Sequence, residues 1–354
     1  MHLINIIKSI TSNIGEIMNI NIEKKGVKNR ELTFITVKNS KDFEIVFTDC
    51  GASIYSISYP NKEGVMGRVT EACKDLERYM TFYYGKTVAP VAGRIQNATA
   101  TLNGETYNFV ANETVNCLHS GPADVGMKTW NYEVKVNETK AEVIFTIKGK
   151  HLEGGFPANI AYKVTYVIYD SKKEVTIKFY AKPDRPAFIN MTNHIYFNLN
   201  GGIDKVVDHE LWLSSSKVAD MDQGLIIQKF VDVPHYLDFQ SPTRLGKNIF
   251  HPNLMNHRSG GMDHPFLLDH RDYTKPCASL YDPKTKRKMT MYTTYPSVIC
   301  YCDNESLGIE NLAGVVTDHN YGITFESVYP THIPENIVFT PEPPFQEKTK
   351  YKFN

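Results

Sequence analysis

No Cys-x-x-Cys pair occurs among the six cysteines (Cys50, Cys73, Cys117, Cys277, Cys300 and Cys302), so neither a structural zinc site nor a dithiol redox motif is supported. No run approaches the roughly 18 apolar residues of a membrane-spanning helix. No charge of one sign dominates. The 39 basic side chains balance 39 acidic ones without a Lys/Arg stripe, which argues against nucleic acid or an anionic membrane as the main partner. The chain carries no dinucleotide glycine motif, no phosphate loop and no metal-ligand spacing, so no cofactor and no metal are expected. It also lacks a low-complexity linker, a repeat of 20–50 residues and any shift of composition that would mark a domain boundary.

The bulk composition is ordinary. Over 354 residues, 42% are hydrophobic and 22% charged, enough to bury a sizeable core. The opening MHLINIIKSITSNIGEIMNI scatters its apolar residues among Asn, Ser and Lys. It has no compact apolar run with a small-residue cleavage site, so no signal peptide is expected and the cytoplasm is the default. Leu3, Ile6, Ile7, Ile10, Ile14 and Ile17 fall at near-helical spacing, the pattern of a short amphipathic helix. Residues 1–25 are read as an N-terminal extension, with Met18 as a second possible start, and residues 26–354 as one domain. Sequons at Asn97, Asn112, Asn137, Asn190 and Asn304 carry little weight without a secretion signal.

The dominant local signal is period-two alternation in runs rich in Val, Ile, Thr, Tyr and Phe. Clear cases are Phe43–Thr48, Glu142–Lys148, Ala161–Tyr169, Glu174–Tyr180 and Lys288–Thr294. Turn signals separate them, and two hairpins are expected, one through Asp170-Ser-Lys-Lys and one around Asn103-Gly104. The best helical pattern is Thr70–Met80, which starts at a threonine suited to capping. The expected fold is therefore all-β: one large antiparallel β-sandwich with few short helices.

Five segments set polar groups among glycines and aromatics. Arg94 lies in PVAGRIQN, where small and apolar neighbours would bury its stem and aim its fork, or where it simply pairs with a carboxylate. His119 stands beside a Ser-Gly-Pro turn. The run Asn190-Met-Thr-Asn193-His194-Ile-Tyr-Phe-Asn198 is framed by apolar residues yet dense in amides. A buried strand tolerates such groups only when they are partnered, since each unsatisfied one costs about 1–3 kcal/mol. This run reads either as a network supporting a site or as a surface turn. Asp263 follows a glycine pair, and Glu326 ends an alternating run beside Phe325, where partial burial would raise its pKa toward that of a general base.

Taken in order, these segments resemble the aldose 1-epimerase (galactose mutarotase) family from about Gly51 to Phe353. The most specific piece is TNHIYFNL (Thr192–Leu199), followed by GMDHPF and a late Glu-containing strand. GKTVAPVAGRI, LNGETY, LHSG and SVICYCDN support it. The resemblance implies a galactose mutarotase-like supersandwich, an isomerase without cofactor, and a small-molecule sugar partner bound by a monomer or homodimer. It implies that Glu326 is the general base and His194 the general acid, and that Arg94, His119 and Asp263 hold the sugar. Three departures border the presumed pocket: Gly93 where the family commonly has Asn, Ser120 where it has Gly, and Ser-Val-Tyr-Pro-Thr after Glu326. They bear on which sugar is bound rather than on the reaction. Other readings stay open: a carboxylate-pair glycoside hydrolase using Asp263 and Glu326, a sugar-binding protein without turnover, and an epimerase of hexose 6-phosphates or disaccharides, which would want extra cations such as Lys86 and Lys128, found near the motif segments.

Overall fold

The computed structural model describes residues 18–305 and 307–354, and the expected helix over residues 3–17 lies outside them. Three antiparallel sheets carry the architecture. The largest has nine strands, in the order 131–136, 140–149, 160–169, 174–183, 345–353, 288–293, 278–281, 210–213 and 243–244. A six-stranded sheet runs 196–197, 323–328, 297–301, 263–267, 217–221 and 227–232. A five-stranded sheet takes the first five strands in sequence order, from Met18–Val27 to Met66–Arg68. Its first strand pairs with Arg30–Asn39 along ten residues, crossing the boundary expected at residue 26.

The nine-stranded sheet forms one layer and the two smaller sheets the other. Phe197 packs on Tyr351 at 4.9 Å and Phe47 on Tyr166 at 4.8 Å, so one continuous apolar core lies between the layers. Alternation explains which residues enter it. In Glu174–Pro183, Val175, Ile177, Phe179 and Ala181 are buried while Lys178 and Lys182 face water.

Both expected hairpins form. Thr99–Leu102 pairs with Glu105–Asn108, and Asn103 (φ 53°) and Gly104 (φ 83°) both take the left-handed backbone of a type I′ turn. The expected helix Thr70–Met80 is shorter than its pattern. Only Leu76–Tyr79 is helical, and the cap is Asp75, whose carboxylate accepts from the backbone of Glu77 and Arg78. Thr70 and Cys73 are held instead in isolated bridges to Phe197 and Asn311, so tertiary pairing overrides local propensity there. All six cysteines are buried and unpaired, as small apolar residues would be.

Candidate active site

The strand Ile323–Val328 has two faces. Phe325 turns into the core, where Ser327 also meets Thr349 of the nine-stranded sheet (3.0 Å). Thr324, Glu326 and Val328 turn the other way. Strand register continues that outer face, because Glu326 sits opposite Ile299 and Ile299 opposite Pro265, while Thr324, Tyr301 and Asp263 form a parallel row. The six-stranded sheet thus supplies a floor carrying Glu326, Asp263, Tyr301 and Ile299.

The wall is built by the amide-rich run from Asn190. Thr192 and Asn193 pair with Val88 and Thr87, the His194 amide donates to Lys86 O (2.8 Å), and Gly85 N donates to His194 O (2.9 Å). The Asn190 side chain donates to the carbonyls of Ala92 and Tyr329, and Asn193 donates to Gly85 O. Asn190, Thr192, Asn193, His194 and Asn198 are all buried, so this run is a network rather than a surface turn. It zips the chain to residues 85–92 and so fixes where His194 and the nearby Arg94 stand.

Arg94 lies on a two-residue bridge to Cys117–Leu118. Its fork is taken in a bidentate pair with Glu113 (2.7 and 2.9 Å), and its remaining nitrogen reaches Asp263 at 3.4 Å. His119 follows at the start of three successive left-handed residues, His119 (φ 48°), Ser120 (φ 64°) and Gly121 (φ 52°). Such backbone is costly for non-glycine residues and persists only where its surroundings impose it. Here Ser120 Oγ accepts from Val91 N (2.7 Å) and donates to Val91 O (3.0 Å), stiffening the loop. Gly93 closes the loop from the other side, its amide donating to His119 Nδ1 at 3.2 Å.

These elements enclose a cleft of about 230 Å³ lined by all five sequence-expected residues, Arg94, His119, His194, Asp263 and Glu326. It is also lined by residues that sequence reasoning missed: Glu113, Tyr83, Tyr196, Leu225, Arg258 and Tyr301. Only Glu113 had a signal, as the carboxylate a half-buried arginine requires.

At the cleft's inner end, His194 Nε2 stands 3.3 Å from Glu326 Oε1. Glu326 is only 3% exposed. Burial first, and then the Asp263 charge, push its carboxyl up to about 8, while Thr324 and Arg94 oppose the shift. Burial pushes His194 down to about 4. Each member has a second atom without a hydrogen-bond partner, Glu326 Oε2 and His194 Nδ1. At neutral pH these shifts leave the pair with one titratable proton, on Glu326, facing a neutral imidazole.

His119, His194 and Glu326 bring ligand atoms within 4.8 Å of one another, the donor types of a catalytic zinc centre. The tautomer of His119 disagrees with that use. With Nδ1 accepting from Gly93, the neutral ring's proton lies on Nε2, and neither ring nitrogen keeps a free lone pair.

The family model for aldose 1-epimerase matches residues 33–336. The chain belongs to the aldose 1-epimerase family. It is 28% identical over 282 residues to the aldose 1-epimerase of Escherichia coli K12, covering 76% of this chain and 78% of that protein. It is 27% identical over 283 residues to the galactose mutarotase of Rattus norvegicus, covering 78% and 80%. The solved galactose 1-epimerase of Lactobacillus acidophilus NCFM superposes with a TM-score of 0.84 at 22% identity, over 95% of this chain and 99% of that one. That solved neighbour shares the supersandwich fold of this chain. Membership places the chain among isomerases, with a small-molecule sugar as the class of substrate. Among the described residues, no helix is long and apolar enough to cross a membrane.

Proposed function

We propose that the protein interconverts the α and β anomers of a free aldohexose such as galactose or glucose, with Glu326 and His194 as its proton-transfer pair. The observation that carries this reading is the 3.3 Å approach of the two groups in a buried cleft.

Ring opening removes a proton from the C1 hydroxyl and delivers one to the ring oxygen, breaking the C1–O5 bond and leaving an aldehyde at C1. In its carboxylate–imidazolium form the pair supplies both steps: Glu326 takes the proton and His194 gives one. Rotation about C1–C2 presents the other carbonyl face. The pair is then in its acid–imidazole form, which suits the reverse. His194 takes the proton from the O5 hydroxyl as O5 attacks C1, and Glu326 returns one to O1. The pair ends each cycle as it began, so no further reagent is consumed. Arg94, Asp263 and His119 hold the ring, and the Glu113 clamp fixes the plane of the guanidinium before the sugar arrives.

The hydrolase reading needs Asp263 and Glu326 facing each other with His194 turned away, whereas His194 faces Glu326 and Asp263 engages Arg94. The phosphosugar reading needs spare cations. Lys86 is buried and donates to Met80 O, Lys128 pairs with Glu153, and the two arginines lining the cleft both lie against Glu113. We further propose a cytoplasmic enzyme, supported by six buried free thiols, acting as a monomer or homodimer, since one chain supplies all five residues.

The test follows α-D-galactose and α-D-glucose by polarimetry and methyl α-D-galactoside by methanol release. Faster decay of rotation for the free sugars, with the glycoside intact, is expected. Methanol release, or no acceleration with either sugar, would overturn the reading.

A further inference from the structure

The cleft has a corner that its proton chemistry leaves unused. Beside Arg94 it opens into a small annex of about 30 Å³, and the two spaces share Gly93, Arg94, Leu225, Asp263 and Ile299 as their boundary. A single water needs about 10–15 Å³ on that measure, so the annex holds a carbon or two and no second sugar ring. Its floor is the outer face of the six-stranded sheet just past Glu326, carrying Val328, Ile299 and Pro265. Its wall is the tip of the hairpin joining 217–221 to 227–232, carrying Met221, Leu225 and Ile227.

That apolar wall is built rather than incidental. Leu225 holds left-handed backbone (φ 59°), which persists in a non-glycine residue only where its surroundings impose it. Here Asp222 Oδ1 accepts from Gly224 N (2.8 Å) and Ile226 N (3.1 Å), and the Asn116 side chain donates to Gly224 O (3.3 Å). Strand register also shifts between Asp220 and Met221, as at a bulge that re-aims a side chain.

Polar groups along the annex are already committed. Thr331 Oγ1 donates to Arg94 O, Tyr329 N to Asn190 Oδ1, Gly93 N to His119 Nδ1, and the Arg94 fork to Glu113. Asp263, at the entrance, engages the remaining Arg94 nitrogen (3.4 Å), and Pro265 and Pro330 have no N–H to offer. Gly93 and Thr331 also belong to two of the three departures from the family pattern. They face each other here, since a Cβ on Gly93 would stand 3.7 Å from Thr331 Cγ2.

A ring hydroxyl entering this corner would lose its water and meet donors and acceptors already taken, whereas a methylene or methyl group would fit. We propose that the annex is a deoxy subsite and that the preferred substrate is an aldohexose lacking one hydroxyl. The inference rests on the mutarotase reading and narrows its substrate class. An apolar pocket rejects an added hydroxyl by about tenfold to a hundredfold, and a preference of that size is expected.

The test uses the full chain with D-galactose, D-glucose and the forms of each lacking one hydroxyl at C2, C3, C4 or C6. Polarimetry gives kcat/KM for anomerisation, corrected for each sugar's spontaneous rate, and saturation-transfer NMR gives Kd without requiring turnover. One deoxy position should exceed its parent by about tenfold or more in kcat/KM and bind more tightly. Loss of the hydroxyls held by Arg94, His119 and Asp263 should lower both. Gly93→Asn puts an amide into the annex, and Asn tolerates the left-handed backbone at this position (φ 85°). It should move the preference back toward the parent hexose. Ile299→Thr, which adds a hydroxyl on the floor, should shift it the same way and decides the matter if Gly93→Asn fails to fold. A parent hexose that wild type favours over every deoxy form, or a preference unmoved in the folded variants, would overturn the proposal. If no sugar is accelerated, the mutarotase reading fails and Kd alone judges the subsite: tighter binding of one deoxy form keeps it, and equal or no binding overturns it.

Discussion

Phe325 and Glu326 are neighbours in one strand, and they live in opposite worlds. Phe325 is 1% exposed and Glu326 3%, so burial alone does not separate them. What differs is satisfaction. On the core face, Phe325 meets Phe197 at 6.0 Å, its carbonyl accepts from the Tyr351 hydroxyl, and Ser327 finds Thr349. On the cleft face, Glu326 Oε2 and His194 Nδ1 are buried without partners. One face is folded to completion. The other is left incomplete in hydrogen bonding, and a polyhydroxylated ligand has something to complete.

The comparison can be broken residue by residue. Glu326→Gln should lower the rate of anomerisation about a thousandfold or more while leaving the fold intact, as measured by polarimetry beside circular dichroism. Phe325→Ala should do the opposite. It should cost about 3–5 kcal/mol of stability in denaturant melts, with the rate per folded molecule nearly kept. Glu113→Gln frees the Arg94 fork without touching the proton pair, so KM should rise about tenfold with kcat little changed in steady-state kinetics.

Stability sharpens the contrast further. The Glu326 carboxyl is raised by burial, so its neutral form stabilises the fold below the unfolded value of about 4.3. That contribution is lost as pH rises through about 8. Gln is neutral throughout. Glu326→Gln should therefore be more stable than wild type above pH 8, by about 1–2 kcal/mol in thermal melts. The smallest effect belongs far from both faces. Gly104→Ala, at φ 83°, should cost about 1 kcal/mol and no activity.

The sequence made the scaffold legible wherever one rule governed. Strands such as Ile160–Tyr169 and Glu174–Pro183 follow from alternation because one side meets a core and the other water. The Asn103-Gly104 turn follows because its backbone needs those two residues. Thr70–Met80 misled because long-range bridges decide its conformation, and no local pattern encodes Asn311. The cleft divides in the same way. His194 stood out in its amide-rich, apolar-framed run, whereas Asp263 and Glu326 gained their weight from the family resemblance carried by TNHIYFNL, GMDHPF and the late Glu-containing strand. Glu113 sits 19 positions from Arg94 in an unremarkable stretch. Its role arises only when the fold sets it against an arginine.

The central claim is that Glu326 and His194 act as a unit sharing one proton, and a pH–rate profile of the wild-type enzyme tests it most directly. Below about 4 the pair takes a second proton on His194, and above about 8 it loses its only proton from Glu326. The enzymatic rate, corrected for the spontaneous reaction, should hold between those values and fall on both sides. A rate that keeps climbing past pH 9 would show a base working without its acid, and would contradict the account.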